Sequence, residues 1–293
     1  MNKKYQVTPI FNEFSEHGEG PLWDEVTQKL YWVDILRGDY YKADSTSFVV
    51  EKYTIGQPLG VLALREKGGL IMAVRDGFGF FDETNLKFDL IRPSPEEYTK
   101  DVRFNDGAVD PYGRFIAGTM EWNGEKEIGK LFQINQDHQI RELDDHFFIP
   151  NGMGWNDEMN IYFVIDTLKH AIFAYDYEIE SGNISNKRIH IKFGEDEFPD
   201  GMTIDSEGGF WVAIWGGSKL VRFDSIGNRI DEIWLPVLHP TSCCFGGSDM
   251  KTLFITTSKI ALSSEQEKKC PLAGSIFKIE TDVIGRFETK YKG

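Results

Sequence analysis

Six positions along the chain carry residue types and a spacing that could support chemistry: Glu19, Gly60, Asn105, Asn151, Asp200 and Thr241, at intervals of 41, 45, 46, 49 and 41 residues. Five of the six bear a side-chain oxygen. Taken singly, Asn151-Gly152 and Asp200-Gly201 are ordinary turn dipeptides. Taken together they mean more, because turn chemistry does not require such oxygens to converge. Two carboxylates and two amide carbonyls gathered in one ring repel each other and lose hydration unless a positive charge sits among them. The set contains no Cys or His, so one hard divalent cation fits best. Ca²⁺ is favoured, Mg²⁺ and Mn²⁺ suit the same oxygens, and Zn²⁺ is not excluded.

Each of these residues opens the same phrase. Asn151-Gly152 starts 149-IPNGMGWNDEMNIYFVIDT-167: a short half-apolar run, a polar turn, then a dense aromatic and β-branched run. The phrase returns in 199-PDGMTIDSEGGFWVAIW-215 and 104-FNDGAVDPYGRFIAGTM-120, and more faintly around Glu19, Gly60 and Thr241. A period of about 40–50 residues belongs to propeller blades rather than helical solenoids. The fold class expected is therefore all-β, a six-bladed β-propeller with four-stranded blades. Innermost strands of a propeller begin around one mouth of the central channel, and that geometry would bring the six opening residues face to face.

The repeats supply four strand-like runs each, such as 20-GPLWD, 29-KLYWVD, 39-DYYKAD and 48-FVVEKYTI in the first. Second runs are almost wholly apolar, as strands covered on both faces should be, and outer runs alternate with charge. No stretch shows a sustained 3.6-residue apolar period, so almost no helix is expected. The segment 5-YQVTPIF precedes the first opening residue and has no blade of its own. It is expected to join the sixth sheet, so that N- and C-terminal strands close the ring and leave no raw edge there. The polar insertion 259-KIALSSEQEKKCPLAG-274 is expected to form a lid or rim loop.

Composition narrows the function classes. Repeats run through the chain without a low-complexity linker, which reads as a single domain over residues 1–293. A formal charge of −15 and a pI near 4.9 argue against nucleic acid or an anionic membrane as partner. The first residues hold two lysines but no apolar run of signal-peptide type, and no stretch has the length of a membrane span. Three cysteines, Cys243, Cys244 and Cys270, form no CxxC pattern or even disulfide framework, which points to a reducing cytoplasm. The partner expected is a small molecule, and the protein a monomer or weak homo-oligomer.

The motifs HGEGPLW, RFNDGAVDPYGRFIAGTM, PNGMGW, PDGMTID and TSCCFGG, in that order, resemble the senescence-marker/regucalcin/gluconolactonase family over essentially the whole chain. That resemblance implies a six-bladed propeller that binds one divalent metal in its channel and hydrolyses sugar lactones. It places metal ligands on Glu19, Asn151 and Asp200, and a substrate-holding pair on Arg103 and Asn105. Animal members of that family also carry a carboxylate pair shortly after GTM that helps hold substrate. Here the stretch is 118-GTMEWNGEKE, with Glu121 directly after Met120 and Asn123 where a later acid would fall. Glu121 is the substrate-binding candidate from that stretch.

A lactone is a cyclic ester, and its hydrolysis develops an oxyanion that a divalent ion can stabilise. Asp200 is the candidate general base, a carboxylate at the edge of the ion. No G-x-S-x-G elbow offers a serine nucleophile. Asp34 and Asp166 end second strands that return toward the mouth; they read equally as partners of the ligands or as strand-end caps. His17, beside the ring, is in place to hydrogen-bond a substrate hydroxyl. Two alternatives stand beside the lactonase reading: a metal-dependent phosphotriesterase or aryl-esterase of related propeller type, and a non-catalytic calcium-binding propeller.

Overall fold

The structure is a computed structural model that describes residues 5–11, 15–44, 47, 49–94, 101–156, 158 and 160–293. Phe48, expected to begin a strand, and the two lysines of the first four residues lie outside the described residues. The chain opens with β1 (Thr8–Phe11) and then lays down sheets in regular succession. Blade one is β2 (Gly18–Asp24), β3 (Lys29–Asp34), β4 (Asp39–Asp44) and β5 (Val50–Thr54). Blade two is β6 (Leu59–Leu64), β7 (Leu70–Val74), β8 (Gly77–Asp82) and β9 (Lys87–Pro93). Blade three is β10 (Val102–Val109), β11 (Phe115–Glu121), β12 (Gly129–Ile134) and β13 (Ile140–Phe147). Blade four is β14 (Pro150–Asn156), β15 (Ile161–Asp166), β16 (Ala171–Glu178) and β17 (Asn183–Lys192). Blade five is β18 (Phe198–Ile204), β19 (Phe210–Trp215), β20 (Lys219–Phe223) and β21 (Arg229–Trp234). Blade six holds β22 (His239–Gly246), β23 (Thr252–Ser258) and β24 (Ile276–Glu280).

The sixth sheet has the order β1-β24-β23-β22, so the N-terminal strand supplies its outer edge. Thr8 pairs with Lys278 and Pro9 with Phe277. Phe11 then stacks on Trp32 of blade one at 5.5 Å, and Trp32 stacks in turn on Tyr41 at 5.1 Å. The six-bladed β-propeller expected from the repeats is the fold observed.

Burial follows the position of each strand in its blade. Every residue of β7 is buried, whereas β9 has none. Second strands are sandwiched between neighbouring blades and outer strands face water, which is why one reads as a continuous apolar run and the other alternates. Cys243 and Cys244 are packed as small apolar residues in the core between blades five, six and one.

The insertion at 259–274 carries the one α-helix among the described residues, α1 (Ser264–Lys269), which opens on a Ser263 capping box and buries none of its residues. Leu262, Cys270 and Leu272 dock the insertion on the core instead. Both of its ends hold the lead-in to blade one: Lys259 donates its backbone N–H to Glu16 O, and Ser15 donates to Gly274 O (2.9 and 3.0 Å). It is therefore an anchored rim segment. The tail after β24 adds no strand to a sheet. It crosses the end of the channel opposite the mouth, tying Ser206, Trp155, Gly113 and Leu64 through Ile284, Arg286, Lys292 and Tyr291.

Candidate active site

The six opening residues all sit at irregularities in the pairing of their inner strands. Register slips between Glu19 and Leu22, Leu59 and Val61, Phe104 and Gly107, Pro150 and Met153, Pro199 and Met202, and Pro240 and Ser242. A β-bulge re-aims the side chains it contains, and one in each blade turns the ring of openings away from simple in-out alternation. The glycines that follow are needed for a different reason from the turn chemistry expected of them. Gly152 and Gly201 lie within strands, where a Cβ on Gly152 would meet Met202 N at 2.3 Å and one on Gly201 would meet Ser242 Oγ at 2.1 Å. Their role is close approach of neighbouring inner strands.

That approach brings the candidate ion-holding residues together. Asn151 donates its side-chain amide to the Asp200 carboxylate and to Thr167 Oγ1 (3.2 Å). The carboxyls of Asp200 and Glu19 lie near enough for the charge of Asp200 to be felt at Glu19. Both acids are buried, and burial pushes both well above the usual carboxylate range, with charge repulsion from Asp106 and, at Glu19, from Asp200 adding to it. Asn151 Oδ1 is buried with no hydrogen-bond partner.

A divalent cation fits this set. It would neutralise the facing carboxyls and give the orphaned amide oxygen a partner, and every donor is a hard oxygen. No group of three or more His, Cys, Asp or Glu among the described residues is arranged to hold a metal.

Two buried aspartates hold the approach to this cluster. Asp34, at the end of β3, accepts from the backbone N–H of Glu16 (2.7 Å) and His17 (3.1 Å). Asp166, at the end of β15, accepts from Phe148 (3.0 Å) and Ile149 (3.2 Å). In each case the two amides lie three and two residues before an ion-holding candidate, Glu19 or Asn151. Of the two readings open for these aspartates, the capping one is what the structure shows: each caps the lead-in to its candidate.

Arg103 and Asn105 stand together on β10. The arginine Nη1 donates to Asn105 Oδ1 (2.7 Å) and to Phe104 O, while Asn105 Nδ2 reaches across to Pro150 O (3.1 Å). Arg103 is buried, and desolvation lowers it to about 10 against the pull of Glu19 and Asp200. Its Nε has no partner. Glu121, buried at the end of β11, spends Oε2 on the backbone N–H groups of Asn123 (3.0 Å) and Glu125 (3.2 Å), so it shapes the following loop. Thr241, the sixth opening residue, donates its hydroxyl to Gly18 O (2.6 Å) and so latches blade six to blade one.

Two features escaped the sequence reading. Asp106 follows Asn105 within the same bulge and lines a channel cavity of about 150 Å³ that the tail residues Arg286–Thr289 close from the far end. Burial raises Asp106 to about 6. Strict alternation would have turned it away from the channel; the bulge does not. The second feature is a ring cluster at the mouth. His17 Nδ1 bonds Ser258 Oγ (3.0 Å), its ring meets Trp215 edge-on at 5.7 Å, and Trp215 stacks flat on His239 at 4.1 Å. Desolvation, then the Arg103 charge, lowers His17 to about 3, and desolvation lowers His239 to about 4. Both rings are neutral near pH 7.

Residues 17–259 match the family model described as SMP-30/gluconolactonase/LRE-like region. YvrE of Bacillus subtilis, provisionally named a sugar lactone lactonase, is 36% identical over 278 residues, covering 94% of this chain and 95% of that protein. Regucalcin of Bos taurus is 36% identical over 281 residues, covering 94% of each. Among solved structures, a regucalcin of Agrobacterium tumefaciens titled as a calcium-binding protein superposes with a TM-score of 0.94 at 23% identity, covering 99% of this chain and 98% of that one. At that identity the superposition speaks for the fold. With a six-bladed ring, its motifs in order and relatives matched over nearly their full length, the chain belongs to the SMP-30/gluconolactonase/LRE-like family.

Proposed function

We propose that the protein hydrolyses a sugar lactone, a gluconolactone-type cyclic ester, to the aldonic acid, with one divalent ion held by Glu19, Asn151 and Asp200. Membership of a gluconolactonase-like family supports lactone hydrolysis at the level of the family. The observation that carries the reading for this chain is a buried carboxyl pair with an orphaned amide oxygen, close enough to a buried arginine for their charges to be felt there. A divalent ion at that point supplies polarisation of the ester carbonyl and stabilisation of the charge that develops on it. Ca²⁺ suits the all-oxygen set best, with Mg²⁺, Mn²⁺ and Zn²⁺ as the other candidates.

The chain's own residues do the rest. Asp200 acts as general base, taking a proton from water as the water oxygen bonds to the carbonyl carbon. The proton then passes to the ring oxygen as the carbon–oxygen bond opens. Glu19 contributes charge and holds the geometry. Arg103 and Asn105, already hydrogen-bonded to each other, orient the sugar hydroxyls, so that a substrate lacking them leaves buried donors unmade. Glu121 would meet a substrate through Oε1, which Lys126 Nζ approaches at 4.0 Å, since its other oxygen holds the loop.

The test is hydrolysis of D-glucono-1,5-lactone and a panel of pentonolactones by protein stripped with chelator and refilled with Ca²⁺, Mg²⁺, Mn²⁺ or Zn²⁺. Turnover restored by an ion supports the reading and identifies the ion. An ion that binds and restores no lactone turnover overturns it, and aryl-ester or phosphotriester turnover would then separate the esterase alternative from a calcium-binding protein. Asp200→Ala should abolish turnover; a near-full rate with the ion still bound would remove Asp200 from the role of base.

A further inference from the structure

Counting two residues back from each ring opening gives a second tier around the mouth. His17 precedes Glu19 in this way, Arg103 precedes Asn105, and His239 precedes Thr241. Phe198 precedes Asp200, and its cross-strand partner on β19 is Trp215. The tier has two unlike sides. Blade three contributes the Arg103 guanidinium, while blades one, five and six contribute the rings of His17, Trp215 and His239, in contact with one another. The two sides are near enough for the Arg103 charge to be felt at His17.

Trp215 is the largest of the three rings and, like His17, is only partly buried, whereas His239 is buried. It keeps that partial exposure at the last position of β19. The flat stack on His239, itself buried, fixes the plane of the ring, and the His17 ring is pinned by Ser258. A rigid, partly exposed indole offers apolar contact area at little entropic cost. Set across a mouth from a guanidinium and an amide, it suits a ligand with hydroxyls on one side and C–H groups on the other.

We propose that Trp215, backed by His239 and flanked by His17, is a specificity-determining wall that receives the C–H face of the sugar-lactone ring, while Arg103 and Asn105 take its hydroxyls. This rests on the lactonase reading and adds to it a substrate class: a ring with an uninterrupted C–H face, in preference to an open-chain or aryl ester. Because the wall touches substrate equally before and during the reaction, it acts on binding and leaves the chemical step alone.

The experiment compares wild type, Trp215→Phe and Trp215→Ala, refilled with the ion that restores wild-type activity, on D-glucono-1,5-lactone and on phenyl acetate. Trp215→Ala is expected to raise the lactone KM by about threefold to tenfold with kcat nearly unchanged, and Trp215→Phe to recover part of the loss. A fall in kcat alone, an unchanged KM in Trp215→Ala, or a loss confined to phenyl acetate overturns the wall. Should Trp215→Ala fail to fold, the same comparison of Trp215→Phe with Trp215→Leu decides the point: equal KM values overturn it, and a lower KM for the phenylalanine supports it. Wild-type protein that binds its ion and turns over no lactone overturns the lactonase reading, and the wall goes with it.

Discussion

Asn151 places its amide nitrogen on the Asp200 carboxylate across the seam between blades four and five, and in doing so leaves its own amide oxygen buried with no partner. An unsatisfied acceptor beside two facing carboxyls is the arrangement that a cation relieves.

Removing that oxygen should therefore be felt by the ion. Asn151→Ala is expected to weaken divalent-ion affinity by at least about tenfold, measured by calorimetric titration of the stripped protein. Unchanged affinity would place the ion elsewhere.

The aspartates behind the cluster give a second prediction. Asp34→Asn and Asp166→Asn each keep the side chain's shape but turn a donor toward backbone N–H groups that had carboxylate acceptors. Each should cost about 1–3 kcal/mol of stability, seen in urea denaturation. Each should also weaken ion affinity, because Glu19 and Asn151 depend on those lead-ins. Lost stability with intact affinity would make the two residues caps and nothing more.

Gly152→Ala is a test of spacing rather than of charge. Its methyl group has Met202 N in its way, so blades four and five must part, at about 1–3 kcal/mol. Asn151 and Asp200 sit on the two strands that separate. Thermal unfolding with and without ion should show the variant gaining less from the ion than wild type does.

At the closed end of the channel, burial pushes the Glu288 carboxyl up to about 7 from an ordinary value of 4.5, with the charges of Glu25 and Asp106 adding to it. A carboxyl with a raised folded-state value prefers its proton in the folded protein. Its stabilising share is complete below the unfolded value and is lost as pH rises through about 7. Glu288→Gln has no such dependence. It should resemble wild type below pH 4.5, gain on it progressively as pH rises toward 7, and melt at a higher temperature than wild type above neutrality. Melting curves that stay parallel across that range would show that the carboxyl is not held in this way.

Much of the ring was legible because repetition and strand pattern are properties of local sequence. The apolar run Leu70–Val74 announces a strand covered on both faces, and the orphaned strand Thr8–Phe11 announces how the circle closes. What escaped depends on contacts or backbone detail that no local pattern encodes. Asp106 joins the channel because of a bulge, Thr241 turns its hydroxyl to a neighbouring blade, and Gly152 answers to a strand about fifty residues away. His17, Trp215 and His239 meet only when blades one, five and six are assembled, so nothing around any one of them marks a shared site.

Pairing Thr8 with Lys278 also sets an order of events. Five sheets can form from contacts within a few tens of residues, whereas the sixth needs a partner from the opposite end of the described chain. Contacts of such long sequence separation carry the largest loop-closure cost and so tend to form late. The seam between β1 and β24 is accordingly where the circle should shut last and open first. Amide exchange should find Thr8–Phe11 and Ile276–Glu280 less protected than Leu70–Val74. Glu19 lies a few residues beyond that seam, and its lead-in hangs from Ser15 and Gly274. Any breathing of the latch would loosen one of the two buried acids while the other stays fixed in blade five, which makes occupancy of the mouth a gauge of whether the ring is shut.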